Sequence, residues 1–405
     1  MGKKYTLLLF LISLIYVAFG LVTSVIGVII DKFQTQYHVS LQVAAFLPFA
    51  FYLAYGLFSI PFGLLMDKIS ARLVLFIGMI LLTLGCFLLY QCNNYIVVIL
   101  MIFFIGIGVT AIQTAGNPFI RELDAPKKYT ANLTIIIGIG ALGYAFSPIL
   151  VPIFQDHGFS WRIVYLLFGI INLALLGALT FVKFPAVKIL DEEKIELHTI
   201  TYLLKNPIII TYSLGILLYV AAEVGTSSYI IVFLSKVHHV EANCSFWQTN
   251  SFWRTAFPSI GALIVALFWL FQALGRLVMG FLMKFYLPRT IFIVHSAGTC
   301  IAILIAIFAP KIISLAMFAL VGYFTSVLFT SIFSGAVQSF DKYHGTISGI
   351  LCTAVVGGGL GGLLVGFIGD ISDLRTAMIF NVLAFLYVFG LSVFGKGNVN
   401  GTKLI

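Results

Sequence analysis

Charge is what this chain lacks. Only 9% of its 405 residues are Asp, Glu, Lys or Arg, while 61% are hydrophobic; an ordinary soluble domain is about 25% charged. A water-soluble fold of this size could not hide so much apolar surface. Acidic residues are the scarcer sign, 14 against 23 Lys and Arg, for a net charge of +9. No soluble face gathers those cations, which argues against nucleic acid as a partner. The five cysteines (Cys86, Cys92, Cys244, Cys300, Cys352) show no CxxC and no Cys/His metal spacing, so neither a metal nor a disulfide framework is expected. No Walker loop or catalytic Ser/His/Asp set is visible either, and the chain reads as neither an enzyme nor a cofactor protein.

What is abundant is long apolar runs. A membrane span needs about 20 apolar residues, and twelve runs of that order fall near 6–30, 43–66, 72–91, 96–120, 130–154, 161–182, 207–234, 260–283, 290–310, 312–337, 345–369 and 375–394. The first has a short basic flank but is long for a signal peptide and lacks a small-x-small cleavage site, so it reads as a retained span. With an even number of spans both termini share a side. That side collects sixteen Lys and Arg against six opposite, Arg276 being left out inside a span. The bias places both termini in the cytoplasm of a cell (inner) membrane protein.

Two connections stand out. Lys183 to Asn206, with Asp191-Glu-Glu-Lys-Ile-Glu196, reads as a solvated cytoplasmic linker between bundles at 1–182 and 207–405. Lys236 to Pro258 reads as an outward amphipathic flap rich in Phe246-Trp247 and Phe252-Trp253, with a substrate-facing lid as the alternative. It also holds the sequon Asn243-Cys-Ser and Cys244.

The halves echo one another. Gly63-Leu-Leu-Met-Asp-Lys-Ile-Ser-Ala-Arg72 returns 217 positions later as Gly280-Phe-Leu-Met-Lys-Phe-Tyr-Leu-Pro-Arg289, each copy in a charged turn between apolar runs. Gly138-x-Gly140-x-x-Gly143 returns as Gly357-x-Gly359-x-x-Gly362, where small residues imply tight helix packing. Parallel repeats of this kind are an architecture of secondary transporters.

Against that frame, single residues gain meaning. Glu223 is the one acid that falls mid-span, in Tyr219-Val-Ala-Ala-Glu-Val-Gly-Thr-Ser-Ser-Tyr229. A carboxylate there costs about 2–3 kcal/mol or more, so it should face a polar interior and pair, bind a cation or stay protonated. The bland alternative is a neutral Glu bonded to a neighbouring helix. Gln113 and Asn117 lie one helical turn apart in span four and form a small amide ladder on one face. Pro118 beside them leaves a helix carbonyl without its usual donor. Phe268-Trp269 offers a stacking face. The expected substrate-binding set is Gln113, Asn117, Tyr219, Glu223, Tyr229 and Trp269, with Glu223 also the ion-coupling residue. Gly63, Asp67, Arg72, Lys284 and Arg289 form the expected gate, their charges pairing with helix ends or with each other when the inward mouth closes.

The segment Gly63 to Arg72 resembles the signature loop between spans two and three of the major facilitator superfamily. It is a degenerate copy, with Ser70 in place of the usual Gly and Ala71 in place of one paired basic residue. The chain further resembles that superfamily's fucose–galactose–glucose permease branch through Thr114-Ala-Gly-Asn-Pro-Phe119, Asn132-Leu133, Lys183-Phe-Pro-Ala186, Tyr219-Val-x-Ala-Glu223, Phe268-Trp269 with Gly275-Arg276, and Gly357-Gly-Gly359. The resemblance implies two six-span bundles rocking about one central site, and sugar carried with protons or, in some members, sodium. Departures are specific. The span-one acid of a proton-linked fucose permease falls here at about Gly27, and its span-four acid falls on Gln113. Polar sugar contacts fall at about Ile135, Gly138 and Leu328.

The sequence thus predicts an all-α membrane protein of twelve transmembrane helices in two pseudo-symmetric six-helix bundles. The expected activity is secondary active transport of a small polar organic solute, sugar-like by resemblance, coupled through Glu223 to a proton or alternatively to sodium. A monomer in the lipid bilayer is expected. An uncoupled facilitator, an exporter of a metabolite or drug-like solute, and a membrane receptor are the competing readings.

Overall fold

The computed structural model describes residues 5–39, 41–44, 46–123, 125–185, 197–240 and 260–401. Among them twelve helices are long and apolar enough to cross a membrane. The first six are α1 (Thr6–Tyr37), α2 (Phe46–Lys68), α3 (Ala71–Gln91), α4 (Tyr95–Glu122), α5 (Tyr129–Asp156) and α6 (Ile163–Thr180). The second six are α7 (Pro207–His238), α8 (Ile260–Leu282), α9 (Pro288–Phe308), α10 (Lys311–Val337), α11 (His344–Ile371) and α12 (Leu374–Phe394). In hydrocarbon every backbone group must be satisfied within the segment, which leaves the helix as the form these apolar runs adopt.

Polar residues punctuate the runs. Ser70 caps α3 by accepting from the Leu73 amide, Asn94 caps α4, and Asn206 caps α7 with Pro207 in the first turn, each satisfying an orphan N–H of a helix start. α10 breaks between Thr325 and Leu328, and α11 breaks in a short 3-10 turn at Ala354–Val356.

Packing repeats with the sequence. In the first half α1 packs on α5 and α6, and α4 lies against both α2 and α3; in the second, α7 packs on α11 and α12, and α10 lies against both α8 and α9. Each pairing recurs six helices on, giving two pseudo-symmetric six-helix bundles. They meet along α2 against α11 and α5 against α8. The glycine echo survives in role but not in register. Gly140 and Gly143 press against Tyr16 and Val17 of α1, whereas α11 presents Gly357 and Gly361 to Leu217 and Ala221 of α7. A methyl group at Gly143 or Gly361 would strike a neighbouring carbonyl. Gly359 instead faces Tyr52, and Gly362 meets nothing.

Tyr5 and Gly401 lie on one face of the molecule, the terminal face. The segment after α12 folds beneath it. Gly397 N donates to the Tyr212 hydroxyl (3.0 Å), Asn398 N to the Gly335 carbonyl (2.9 Å), and Thr130 Oγ1 of the other bundle to the Val399 carbonyl (2.9 Å). The expected linker is described only in part: Leu197–Leu204 forms a short helix with Leu203 buried, so this stretch is not simply solvated. Asp191 to Glu196 lies outside the described residues. So do Asn243, Cys244, Phe246, Trp247, Phe252 and Trp253 of the expected flap.

Candidate substrate cleft and terminal gate

A cleft lies between the bundles. Its wall is aromatic: Tyr16 and Phe19 from α1, Phe51, Tyr52 and Tyr55 from α2, Tyr144 from α5, Tyr219 from α7, Trp269 from α8 and Phe329 from α10. Gln113, Glu223 and Arg276 supply most of the remaining polar lining. Trp269 stacks on Tyr144 of the opposite bundle, ring centroids 5.7 Å apart and planes 21° apart.

Glu223 faces this cleft and is buried. Tyr219 lies one turn earlier on the same face of α7, and its hydroxyl donates to Glu223 Oε1. From α8 the Gln272 amide donates to the same oxygen, and Arg276 Nη2 stands 3.9 Å from it. Gln272 and Arg276 are themselves one turn apart and so point the same way. The break in α10 also contributes, because the Ser326 carbonyl there accepts from Arg276 Nε at 3.1 Å. Arg276 and Gln272 were not among the sequence-derived site residues. The clue was available: a cation buried inside a span needs a partner as much as a buried acid does.

The amide ladder divides. Gln113 lines the cleft and accepts from the Tyr55 hydroxyl at 2.6 Å. Asn117 does not line it; fully buried, it accepts from the Tyr16 hydroxyl at 2.5 Å. The carbonyl left by Pro118 belongs to Thr114, and Ser348 of α11 donates to it at 2.7 Å across the bundle interface. Tyr219, Glu223 and Trp269 line the cleft, but Tyr229 sits farther along α7 beside Gly366 of α11. Among the described residues no cluster of His, Cys, Asp or Glu is arranged to hold a metal ion.

The terminal face is shut by contacts between the bundles. Half-buried Asp67, at the end of α2, accepts from Gly345 N (2.8 Å), Thr346 N (2.6 Å) and Thr346 Oγ1 (2.7 Å). A carboxylate at a helix start satisfies orphan amides and meets the positive end of the helix dipole. Gly63, one turn earlier, lies against Gly345 and Gly349, where a side chain would collide with backbone. Arg121 contacts His344 at 3.3 Å, and Thr130 and Thr134 pair with Ser334 and Thr330 at 2.9 and 2.8 Å. The other expected gate charges stay within their own bundle. Arg289 donates to the Ser392, Val393 and Gly395 carbonyls at the end of α12, Arg72 lies over Phe76 and Phe184, and Lys284 lies over Phe281. The two copies of the charged turn therefore do different work: the first crosses to the other bundle, and the second ties off its own.

The model of the Major Facilitator Superfamily matches residues 12–262. The chain belongs to this family. It is an integral multi-pass membrane protein and a secondary transporter, not an enzyme. It is 24% identical to a glucose/galactose transporter of Brucella abortus biovar 1 (strain 9-941) over 407 residues, covering 97% of this chain and 95% of the relative. Among solved structures it resembles the E. coli fucose:proton symporter, with a TM-score of 0.82 at 19% identity. A second structure, a Major Facilitator Superfamily transporter, FucP, in the outward conformation, gives a TM-score of 0.82 at 20% identity. Each covers 98% of this chain and 100% of its own. At that identity the likeness speaks for the fold.

Proposed function

We propose that this transporter carries a small, hydroxylated, sugar-like solute by alternating access, with a proton taken up at Glu223. The observation that carries the reading is the cleft itself: a buried acid bonded by Tyr219 and Gln272, walled by aromatic rings, between bundles joined on the terminal face. Aromatic faces suit the apolar side of a sugar ring, and tyrosine hydroxyls and Gln113 suit its hydroxyls. The Brucella relative is a glucose/galactose transporter and the E. coli neighbour a fucose:proton symporter, which agrees with that chemistry. The Lys and Arg bias supports a cytoplasmic terminal face, so the closed gate corresponds to an outward-facing state in a cell membrane, and the protein works as a monomer.

The test is uptake of labelled hexoses into proteoliposomes with and without an inward proton gradient. Wild type is expected to accumulate substrate only with the gradient. Glu223→Gln is expected to keep exchange of substrate across the membrane and lose accumulation; accumulation by this variant would remove Glu223 from coupling. An uncoupled facilitator is the second reading. It is favoured by Gly27 and Gln113, which stand where a proton-linked fucose permease carries acids.

A further inference from the structure

The transporter reading leaves open what the solute must present to the cleft, and the charges there bear on it. Glu223 and Arg276 are the two charged side chains in its lining, and they are unequally satisfied. Glu223 Oε1 already receives the Tyr219 hydroxyl and the Gln272 amide. Arg276 Nη2, at 3.9 Å, is beyond hydrogen-bond reach of that oxygen. Arg276 commits Nε to the Ser326 carbonyl, and its guanidinium also meets the Tyr219 hydroxyl and stands at ion-pair distance from the Glu223 carboxylate. A guanidinium offers five N–H donors in a planar fork matched to a carboxylate. This one is 7% exposed and lines the cleft.

Charge balance sharpens the point. In the empty cleft the ionised pair sums to zero. If a neutral solute entered together with a proton on Glu223, Arg276 would be left as an uncompensated buried cation, which is costly in a low-dielectric site. If an anionic solute entered with the proton, the sum would return to zero. Both the empty and the loaded carrier could then reorient without a net buried charge. An anion without the proton would meet the Glu223 carboxylate at close range and be repelled. The other groups near Glu223 are Gln272 from α8, Tyr52 from α2 and Tyr144 from α5, while Thr325 of α10 pairs with Gln272. Arg276 is the one cation among them.

We propose that the preferred cargo is a hydroxylated solute bearing a carboxylate, of the sugar-acid class, and that Arg276 is its specificity-determining residue. Protonation of Glu223 keeps its bonds to Tyr219 and Gln272, since a carboxylic acid still offers an acceptor oxygen. It also releases Arg276 from its ion pair. The incoming carboxylate then takes the guanidinium fork while Trp269 and Tyr144 cover the ring.

The experiment measures binding of D-glucuronate and of D-glucose to the purified full-length protein, by intrinsic tryptophan fluorescence at about pH 5.5 and about pH 7.5; glucuronate is ionised at both. Glucuronate affinity is expected to be about tenfold or more higher at the lower pH. Glu223→Gln, whose amide stands in for the protonated acid, is expected to bind glucuronate equally at both. Arg276→Gln is expected to lower the glucuronate-to-glucose affinity ratio about tenfold or more. Glucose binding with no glucuronate binding at either pH would overturn this inference while leaving the sugar-transporter reading intact. Binding of neither solute would overturn both. If Arg276→Gln fails to fold, the wild-type pH comparison and Glu223→Gln still decide: pH dependence persisting in Glu223→Gln would sink the coupling of cargo to that proton.

Discussion

Glu223 depends on neighbours that differ in how well they reach it. Its Oε1 takes the Tyr219 hydroxyl and the Gln272 amide, while Arg276 stays at ion-pair distance. Removing a donor from a buried charged group forfeits about 1–3 kcal/mol. Gln272→Leu is therefore expected to destabilise the detergent-solubilised protein by that order, read as a lower thermal unfolding midpoint. An unchanged midpoint would mean that the carboxylate does not rely on the amide. The acid itself was legible in the sequence, because a mid-span carboxylate is too costly to be incidental. Arg276 obeys the same rule, but its partner lies on another helix, and a contact between helices is not written in either one's periodicity. Asn117 shows the converse. Four residues from Gln113, it shares that side chain's face, yet one turn displaces it about 5.4 Å along the axis. That step carries it beneath Tyr16 and out of the cleft.

Helix ends and helix breaks were unequally legible. Ser70, Asn94, Asn206 and Asp373 interrupt apolar runs, and each caps the helix that follows. The breaks in α10 and α11 were hidden, since Thr325-Ser326-Val327 and Ala354-Val355-Val356 carry no proline and sit inside apolar sequence. At the break in α10 a tertiary contact takes up the freed backbone, where Arg276 claims the Ser326 carbonyl. At the exposed start of α12, the Thr376 hydroxyl and the Thr376 and Arg375 amides bond Asp373 and hold its carboxyl below the usual carboxylate range. A carboxyl depressed by folding stabilises above its unfolded pKa of about 3.9, and that contribution disappears as pH falls through the lower folded value. The midpoint difference between wild type and Asp373→Ala is therefore expected to hold steady from neutral pH to about pH 5 and to narrow below about pH 4. A gap unchanged in acid would assign the cap to packing instead of charge.

The duplication was readable at the scale of the whole molecule, because a repeated charged turn implies repeated helices. Its asymmetry was not. Asp67 and Lys284 occupy equivalent places in the two halves, but only the anion can cap a helix start, so Asp67 reaches Gly345 and Thr346 while Lys284 stays over Phe281. The closed terminal face rests on that cap together with the Arg121–His344 contact, the Thr130 and Thr134 pairs and the segment after α12. Losing the charge at Asp67 should leave the folded bundles intact and favour the state open at this face. The shift should be about 1–3 kcal/mol, or about 5–150-fold in the ratio of states. A cysteine placed at buried Ala131, which lies against Gly280 of the opposite bundle, reports that opening. In a background free of other reactive thiols, Ala131→Cys is expected to react slowly with a membrane-impermeant maleimide applied from the terminal side. Adding Asp67→Asn is expected to accelerate labelling by a factor in that range. Equal rates would show that the gate does not depend on the carboxylate, and the shared turn would then be a relic of duplication with no part in closure.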